Sequence, residues 1–366
     1  MMIEKELVVI GGGPAGLSAA VEAAKRGVET LLIDENLRAG GQLFKQIHKF
    51  FGSHAHRAGI RGIDIALELL REAENYDVEV WLDSVVVGLF KENKIAIKKR
   101  LSGNSESLEI IKAKNIVIAT GASENSVRFK GWTLPGVMGA GAVQTMINVN
   151  RVLPGKKILM IGSGNVGLIV SYQLLQAGAD VIAIVEALPQ IGGYGVHASK
   201  ITRAGVPIYV SHTILEARGT KNVEEALICK IDSNWQPIKG TEKVLEVDTI
   251  SIAAGLKPLV ELAMMHGCKC SFISQLGGWV PIHDKNMEST QKGIYLVGDI
   301  TGVEEANTAL EEGRLAGIAI AEKLGYIDID DAKKNKDEIW GRLNELRLGP
   351  FGKERMVAKN NLLKSV

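Results

Sequence analysis

Residues 5–36 read KELVVIGGGPAGLSAAVEAAKRGVETLLIDEN. Leu7 to Ile10 is a short apolar run of the kind a buried strand shows. Gly11, Gly13 and Gly16 follow as GxGxxG, Leu17 to Arg26 is an alanine-rich helical stretch stopped by Gly27, and Thr30 to Ile33 is a second apolar run ending in Asp34 and Glu35. Together these are the parts of one βαβ unit, in order. In such a unit the first glycine makes the tight turn, and the second lets the main chain approach a pyrophosphate at the helix N-terminus. The third brings helix and strand together. Asp34 is the acid expected to accept hydrogen bonds from an adenosine ribose, with Glu35 beside it.

The same grammar returns at residues 156–189, KKILMIGSGNVGLIVSYQLLQAGADVIAIVEALP. Gly162, Gly164 and Gly167 form the turn, with Asn165 and Val166 inside it. Leu168 to Gln176 is the helix, Gly178 its stop, and Val181 to Val185 the second strand, closed by Glu186. An acid at that point repels a 2′-phosphate, and no arginine follows in EALPQ, so a nicotinamide nucleotide here is expected to be NAD(H) rather than NADP(H). The residues specify an adenine nucleotide and not its reactive end, so a turn holding ADP or ATP, or nothing, stays open.

Composition fits this reading. A chain of 366 residues has room for two domains and a remainder at about 150 residues per domain. Net charge is +1, which excludes the clustered basic excess of a nucleic-acid binder. Hydrophobic residues are 46% and charged residues 23%, which excludes disordered and collagen-like classes. Glycine, at 41 residues, is about 11% against a usual level of about 7%. The three cysteines, Cys229, Cys268 and Cys270, include no CxxC and cannot build a disulfide framework. Glu4, Lys5 and Glu6 lead straight into LVVI, which is not a signal-peptide pattern, and no apolar stretch reaches 18 residues. The expectation is a cytoplasmic protein with no membrane span.

Between and beyond the two units, Ile60 to Ala73 reads as an amphipathic helix with Ile63, Ile65, Leu67 and Leu70 on its apolar side. Val78 to Trp81, Ser84 to Phe90 and Ile95 to Lys98 read as a meander, and Asn115 to Ile118 as a strand running into Ala119-Thr120-Gly121. Lys130 to Gly141 reads as a linker. GIYLVGD sets Gly298 and Asp299 at a strand tip, Glu304 to Lys323 reads as a helix, and the tail holds one amphipathic helix with Ile339, Leu343 and Leu346.

GGGPAG at 11–16, ATGA at 119–122, GSGNVG at 162–167 and GD at 298–299 stand in an order that resembles the flavoproteins with two dinucleotide-binding domains, the thioredoxin-reductase-like group. GGQ at 40–42, GWTLPGVMGAGAVQ at 131–144, TILEARG at 213–219, GLKP at 255–258, LGGWVP at 276–281 and EEGRLAG at 311–317 resemble the FAD-containing subunits of heteromeric sarcosine oxidase, opine oxidase, hydrogen cyanide synthase and dye-linked proline dehydrogenase. The resemblance implies an α/β fold of two Rossmann-like domains, the NAD-type domain inserted into the FAD domain, with a C-terminal helical tail. The expected limits are 1–125 and 256–330 for the FAD domain, 126–255 for the insert and 331–366 for the tail. It implies FAD and NAD(H) as cofactors, an oligomer, and a partner subunit or small-molecule acceptor. Residue by residue, it implies that Gly11, Gly13, Ala15 and Gly16 hold the FAD pyrophosphate and Asp34 its ribose. Gly41 and Gln42 would lie along the flavin, Val86 at the adenine edge, and Ala119, Thr120 and Gly121 over the dinucleotide. Gly298 and Asp299 would meet the ribityl chain, and the helix opening near Asn307 and Thr308 would face the flavin N1/O2 edge. Gly162, Gly164, Asn165, Val166, Gly167, Glu186 and Gly255 would serve the second nucleotide.

Departures accompany the likeness. Thioredoxin reductases carry a CxxC in the insert, whereas the corresponding stretch, 126 to 160, has no cysteine. No cysteine lies in 331–366 either, so an iron–sulfur centre would have to belong to a partner. Cys268 and Cys270 read as packing, because C-x-C supplies two ligands and a structural zinc site needs four. No metal site is expected. Residues 45–61 carry Lys45, His48, Lys49, His54, His56, Arg57 and Arg61. The segment reads as a solvated or docking loop, or as a cationic loop for an anionic substrate in which Lys45 or His48 assists proton movement. The tail reads either as a cover for the FAD domain or as a docking element with Trp340 and Phe351 as anchors. The function expected is hydride and electron transfer between NAD(H) and a partner subunit or acceptor. Direct amine oxidation at its own FAD, and a scaffold holding FAD and ADP or ATP, are the alternatives.

Overall fold

The computed structural model describes residues 3–100, 105–349 and 352–363. The chain divides into two units, one formed by Met1–Ser123 with Lys257–Val366 and the other by Glu124–Leu256. The first segment runs β1 (Ile3–Ile10), α1 (Pro14–Ala24), β2 (Thr30–Ile33), α2 (Gly62–Asn75), β3 (Glu79–Trp81), β4 (Ser84–Phe90), β5 (Lys94–Arg100) and β6 (Glu106–Ile118), and leaves through β7 (Ala122–Glu124). The intervening unit runs β8 (Val137–Gly139), α3 (Ala140–Thr145), β9 (Lys157–Ile161), α4 (Asn165–Gln176), β10 (Asp180–Glu186), α5 (Gly195–Arg203), β11 (Ile208–Val210), β12 (His212–Arg218), β13 (Glu225–Lys230), β14 (Lys243–Glu246) and β15 (Thr249–Ile252). The chain returns through β16 (Leu256–Pro258) into α6 (Glu261–Met265), β17 (Cys270–Ile273), β18 (Gly278–Pro281), β19 (Ile294–Leu296), α7 (Ala306–Lys323), α8 (Ile329–Leu346) and α9 (Lys353–Leu363).

The first unit is built on one sheet in the order β3-β2-β1-β6-β5-β4, with β19 also on β6. β1, β2, β3, β19 and the second half of β6 are parallel, whereas β4, β5 and the first half of β6 are antiparallel. Leu7 and Val9 of β1 face a core of helices α1, α2 and α7. Val8 and Ile10 face a second core with Leu89, Ile95 and Ile97 of the meander. A strand buried on both faces has no reason to alternate polarity, which is why LVVI is apolar throughout. β1 lies between β2 and β6, the point at which the strand order reverses; in open α/β sheets ligands bind outside the carboxyl ends of the strands at such a point. α7 lies against α1. A β-carbon at Gly313 would collide with Ala15 O, so only glycine admits this approach.

The intervening unit repeats the plan. Its five strands are ordered β11-β10-β9-β15-β8 and all pair in parallel, with β9 at the reversal between β10 and β15. Ile214, Ala226 and Ile228 of an antiparallel sheet, β12-β13-β14, cover Leu159 and Ala183 on one face.

Several local expectations change. Val78–Trp81 is not part of the meander, because Glu79–Trp81 pairs parallel to β2 at the sheet edge. In α2 the buried residues are Gly62, Ile65, Ala66, Leu69 and Ala73, whereas Leu67 is 43% exposed. The linker expected at Lys130–Gly141 contains β8, held in the sheet by β15. Its glycines and proline shape an edge strand and the turn before it. The tail holds two helices rather than one. Asp328 Oδ1 caps α8 by accepting from Asp330 N and Asp331 N, and Ile339 and Leu343 bury in the helical core. Trp340 packs beside them and its Nε1 donates to Lys285 O at 3.2 Å. Phe351 lies outside the described residues.

Candidate functional site

The first site forms where β1 meets α1. Gly11 has φ +101°, and a β-carbon there would collide with Ala119 O, so the turn closes directly on Ala119–Gly121. That segment is itself pinned, since Thr120 Oγ1 donates to Leu259 O at 2.7 Å and Leu259 N donates to Gly121 O at 3.0 Å. Gly13 caps α1 in extended conformation with Pro14 after it. No side chain caps the helix, no acid occupies its first turn, and nothing lies within 4 Å of where a Gly13 β-carbon would stand. Ala15 and Gly16 follow in that first turn. Uncapped first-turn amides facing open space are what a phosphate requires. Gly40 N donates to Gly12 O at 2.6 Å, which draws Gly41 and Gln42 over the turn.

Asp34 is 6% exposed and Glu35 is exposed. Asp34 Oδ2 accepts from Gly12 N at 2.6 Å, and Oδ1 accepts from Asn36 N and Asn36 Nδ2, both at 2.8 Å. A carboxylate offers about four acceptor positions, so one on Oδ2 is left for a ribose hydroxyl. Val86 stands in β4 just before a register shift at the sheet end. The residues present therefore fit an adenine dinucleotide: an open amide cradle, a buried acid with acceptor capacity left, and closing loops on either side.

Gly298 and Asp299 begin a turn that ends at Thr301. A β-carbon on Gly298 would lie 2.8 Å from Ala15 Cβ, which places this turn on the first turn of α1. Burial pushes the Asp299 carboxyl up to about 6. The Glu304 main-chain N–H and the Lys359 charge pull against that shift, and the Glu312 and Glu304 charges add to it. α7 begins beside the turn. Asn307 Nδ2 donates to Phe51 O at 2.8 Å, and Thr308 Oγ1 donates to Glu305 O at 2.6 Å.

The second site repeats the main-chain plan of the first. Gly162 has φ +100°, and a β-carbon there would collide with Ala253 O. Gly164 caps α4 with no side-chain cap and faces open space. Glu186 Oε2 accepts from Ser163 N at 2.8 Å, as Asp34 does from Gly12 N, and Oε1 accepts from Leu188 N at 2.9 Å, as Asp34 does from Asn36 N. Asn165 Oδ1 accepts from Tyr194 N at 2.9 Å, Val166 is 42% exposed, and Gly255 O accepts from Asn125 N at 3.0 Å.

Lys45 ends the short turn that starts at Gly41, and the His48 ring stacks on Phe50 with centroids 6.0 Å apart. The other basic residues of this loop are partly consumed by the fold. His56 Nε2 lies 3.2 Å from Glu311 Oε1, and Arg57 pairs with Glu68 and Glu72. Among the described residues no group of three or more His, Cys, Asp or Glu is placed to hold a metal ion, and no helix is long and apolar enough to cross a membrane. Cys229 is fully buried in β13, and burial raises its thiol. Burial pushes Cys270 up to about 11 and also raises Cys268, whose Sγ donates to Ser289 Oγ at 3.3 Å. These thiols stay protonated at neutral pH, so they are poor nucleophiles for disulfide exchange.

Sequence reading missed three features. Ser163 supplies its hydroxyl as well as its main chain to Glu186. Gly192 and Gly193 stand six and seven residues after Glu186, the spacing of Gly40 and Gly41 after Asp34, and that spacing was a usable signal. Glu304, Glu312, Arg347 and Lys359 meet beneath the Gly298 turn. No sequence pattern announces that meeting.

The sequence matches the family described as pyridine nucleotide-disulphide oxidoreductase over residues 5–313. It is 27% identical to hydrogen cyanide synthase subunit HcnB of Pseudomonas aeruginosa, over 96% of this chain and 78% of that protein. The fold is similar to L-proline dehydrogenase from P. horikoshii, with a TM-score of 0.69, 22% identity, and coverage of 94% of this chain and 59% of that one. It is also similar to T. acidophilum thioredoxin reductase, with a TM-score of 0.71, 21% identity, and coverage of 88% and 99%. The chain thus spans less than two thirds of the proline dehydrogenase chain, and the expected likeness to two-dinucleotide-domain flavoproteins holds in sequence and in fold.

Proposed function

The chain belongs to the pyridine nucleotide-disulphide oxidoreductase family, and from that premise we propose that it is an FAD-dependent oxidoreductase passing hydride and electrons between NAD(H) and a partner subunit or small acceptor. The setting proposed is a complex of the amine- or amino-acid-dehydrogenase type. FAD and a pyridine nucleotide are the cofactors of the family, and HcnB is itself a subunit. The observation that carries the reading is the likeness of the two sites. Each has an uncapped helix N-terminus facing open space, and each has a buried acid holding the second residue of the glycine turn.

Bound FAD supplies hydride acceptance at its N5 position, and the protein supplies placement and field. The α1 amides at Ala15 and Gly16 hold the pyrophosphate, and Asp34 orients the ribose. Asp299, with a carboxyl that titrates near pH 6, can accept from or donate to a ribityl hydroxyl. The N-terminal turn of α7, at Asn307 and Thr308, turns its positive end to where reduction places negative charge. Glu186 selects NAD(H) by repelling a 2′-phosphate. Hydride transfer needs no acid or base, so Lys45 and His48 are assigned none of it.

The test is an anaerobic titration of the purified chain, followed by flavin absorbance. NADH is expected to bleach the flavin well ahead of NADPH, and amines without NADH to leave it oxidised. Bleaching by an amine alone would move the reading to direct amine oxidation. An oxidised flavin under excess NADH would leave a scaffold.

A further inference from the structure

Glu311 and Glu312 follow each other on α7, and both are buried, at 0% and 2% exposure. Glu311 is met by His56, Arg314 and Arg342. Glu312 is met from the tail. Its Oε1 accepts from Arg347 at 2.8 Å and from Lys359 Nζ at 2.7 Å. Its Oε2 accepts from Gly298 N at 3.0 Å and lies 3.0 Å from Thr301 Oγ1. Lys359 Nζ also donates to Thr301 Oγ1 at 2.6 Å and lies 3.5 Å from Glu304, which Arg347 also engages at 2.6 Å. The turn is thus held directly by Glu312 of α7 and by Lys359 of α9, and Lys359, some sixty residues further along the chain, also engages Glu312. Two anions and two cations balance there, and Lys359 is itself 2% exposed.

Burying ion pairs is a poor route to stability, because desolvation offsets the attraction. Four charges beneath one turn do something an apolar plug cannot do. They set opposed charges around Asp299 and hold the turn by hydrogen bonds at the Gly298 main chain and the Thr301 hydroxyl.

We infer that Lys359 is a positioning residue for the flavin site: from the C-terminal helix it holds, through Thr301 and Glu312, the turn that carries Gly298 and Asp299, and it keeps the buried charge beneath that turn neutral. The inference rests on the reading that FAD occupies the first site. Removing the ammonium leaves Glu304 and Glu312 against Arg347 alone. One uncompensated negative charge then sits under the ribityl contact, where it opposes electron uptake by the flavin and frees the turn to move.

The experiment uses the full chain and the variants Lys359→Met, Lys359→Arg and Thr301→Val. Each is stripped of flavin, titrated with FAD by fluorescence quenching, and its flavin potential measured against a reference dye. Lys359→Met is expected to weaken FAD binding at least about tenfold and to lower the potential, and Lys359→Arg to restore most of both. Thr301→Val is expected to weaken FAD binding while leaving the potential near that of the wild type. A general loss of stability would not move the potential, nor would charge alone rescue it. A folded Lys359→Met that matches the wild type in affinity and potential overturns the inference. If Lys359→Met does not fold, a Thr301→Val that binds FAD as tightly as the wild type overturns it. A wild-type chain that takes up no FAD overturns the cofactor reading itself, whereas normal uptake with unchanged variants overturns this inference alone.

Discussion

Glu186 takes two hydrogen bonds from one residue, Ser163, whose main-chain N and Oγ lie 2.8 and 2.7 Å from the same carboxylate oxygen. Leu188 N takes a position on the other oxygen at 2.9 Å. The carboxylate is therefore locked in place at the end of β10, with capacity for one more donor.

A locked anion discriminates by what it can accept and by what it repels. Glu186→Gln is expected to weaken NADH and to narrow the NADH-over-NADPH preference in flavin reduction. A charged hydrogen bond lost here is worth about 1.5–3 kcal/mol, or roughly ten- to a hundredfold in kcat/KM. Stopped-flow reduction with both nucleotides measures it. An unchanged ratio would mean that Glu186 does not face the ribose.

Gly13 separates binding from folding. Its φ of −74° suits any residue, and nothing lies within 4 Å of an added β-carbon. Gly13→Ala is thus expected to leave the unfolding midpoint of the flavin-free protein nearly unchanged. The methyl group occupies the space assigned to the pyrophosphate, so FAD affinity should fall by at least about 1.4 kcal/mol, a factor of ten. Wild-type affinity in this variant would move the phosphate elsewhere.

His283 predicts a pH dependence. Burial, with the Lys359 charge added, pushes its imidazole down from an ordinary 6.5 to about 4. Below pH 6.5 the unfolded chain takes up a proton that the folded one refuses, so this group's contribution is present above pH 6.5 and is lost as pH falls toward 4. The loss amounts to about 3 kcal/mol across the window. Asp299, raised from 3.8 to about 6, works with the opposite sign over much of the same range, so the wild-type slope is partly cancelled. The readout is the difference between wild type and His283→Asn in urea unfolding at pH 7.0, 5.5 and 4.5. A difference that does not change with pH would count against a neutral buried imidazole.

The tail is expected to behave as core. Leu343 is fully buried among residues of α1, α2 and α7. Leu343→Ala should cost about 2–5 kcal/mol in urea unfolding. A cost under about 1 kcal/mol, within the range of a surface substitution, would return α8 to the role of a docking element.

Much of the site is local in the chain, and that part could be read directly. A glycine turn, the helix it opens and the acid that closes the next strand fall within about 25 residues, and main-chain geometry demands those residue types at those places. Two such units in order, with ATGA and GD at their stations, were enough for the fold class. Sheet membership was harder. Glu79–Trp81 looks no different from a meander strand, and only the neighbour it meets, β2, makes it parallel. A run rich in glycine and proline reads as a linker unless a strand such as β15 waits to pair with part of it.

The amino-acid sequence alone determined that two glycine turns each open a helix and that an acid closes the strand after each, because those features depend on short-range backbone sterics. Tertiary structure decided which charges are buried together. Glu312 finds Arg347 and Lys359 across 35 and 47 residues. A lysine in a tail helix looks the same in sequence whether it faces water or a buried glutamate. Its surroundings are set by how α7, α8 and α9 pack, and burial is what turns an ordinary surface residue into a fixed charge.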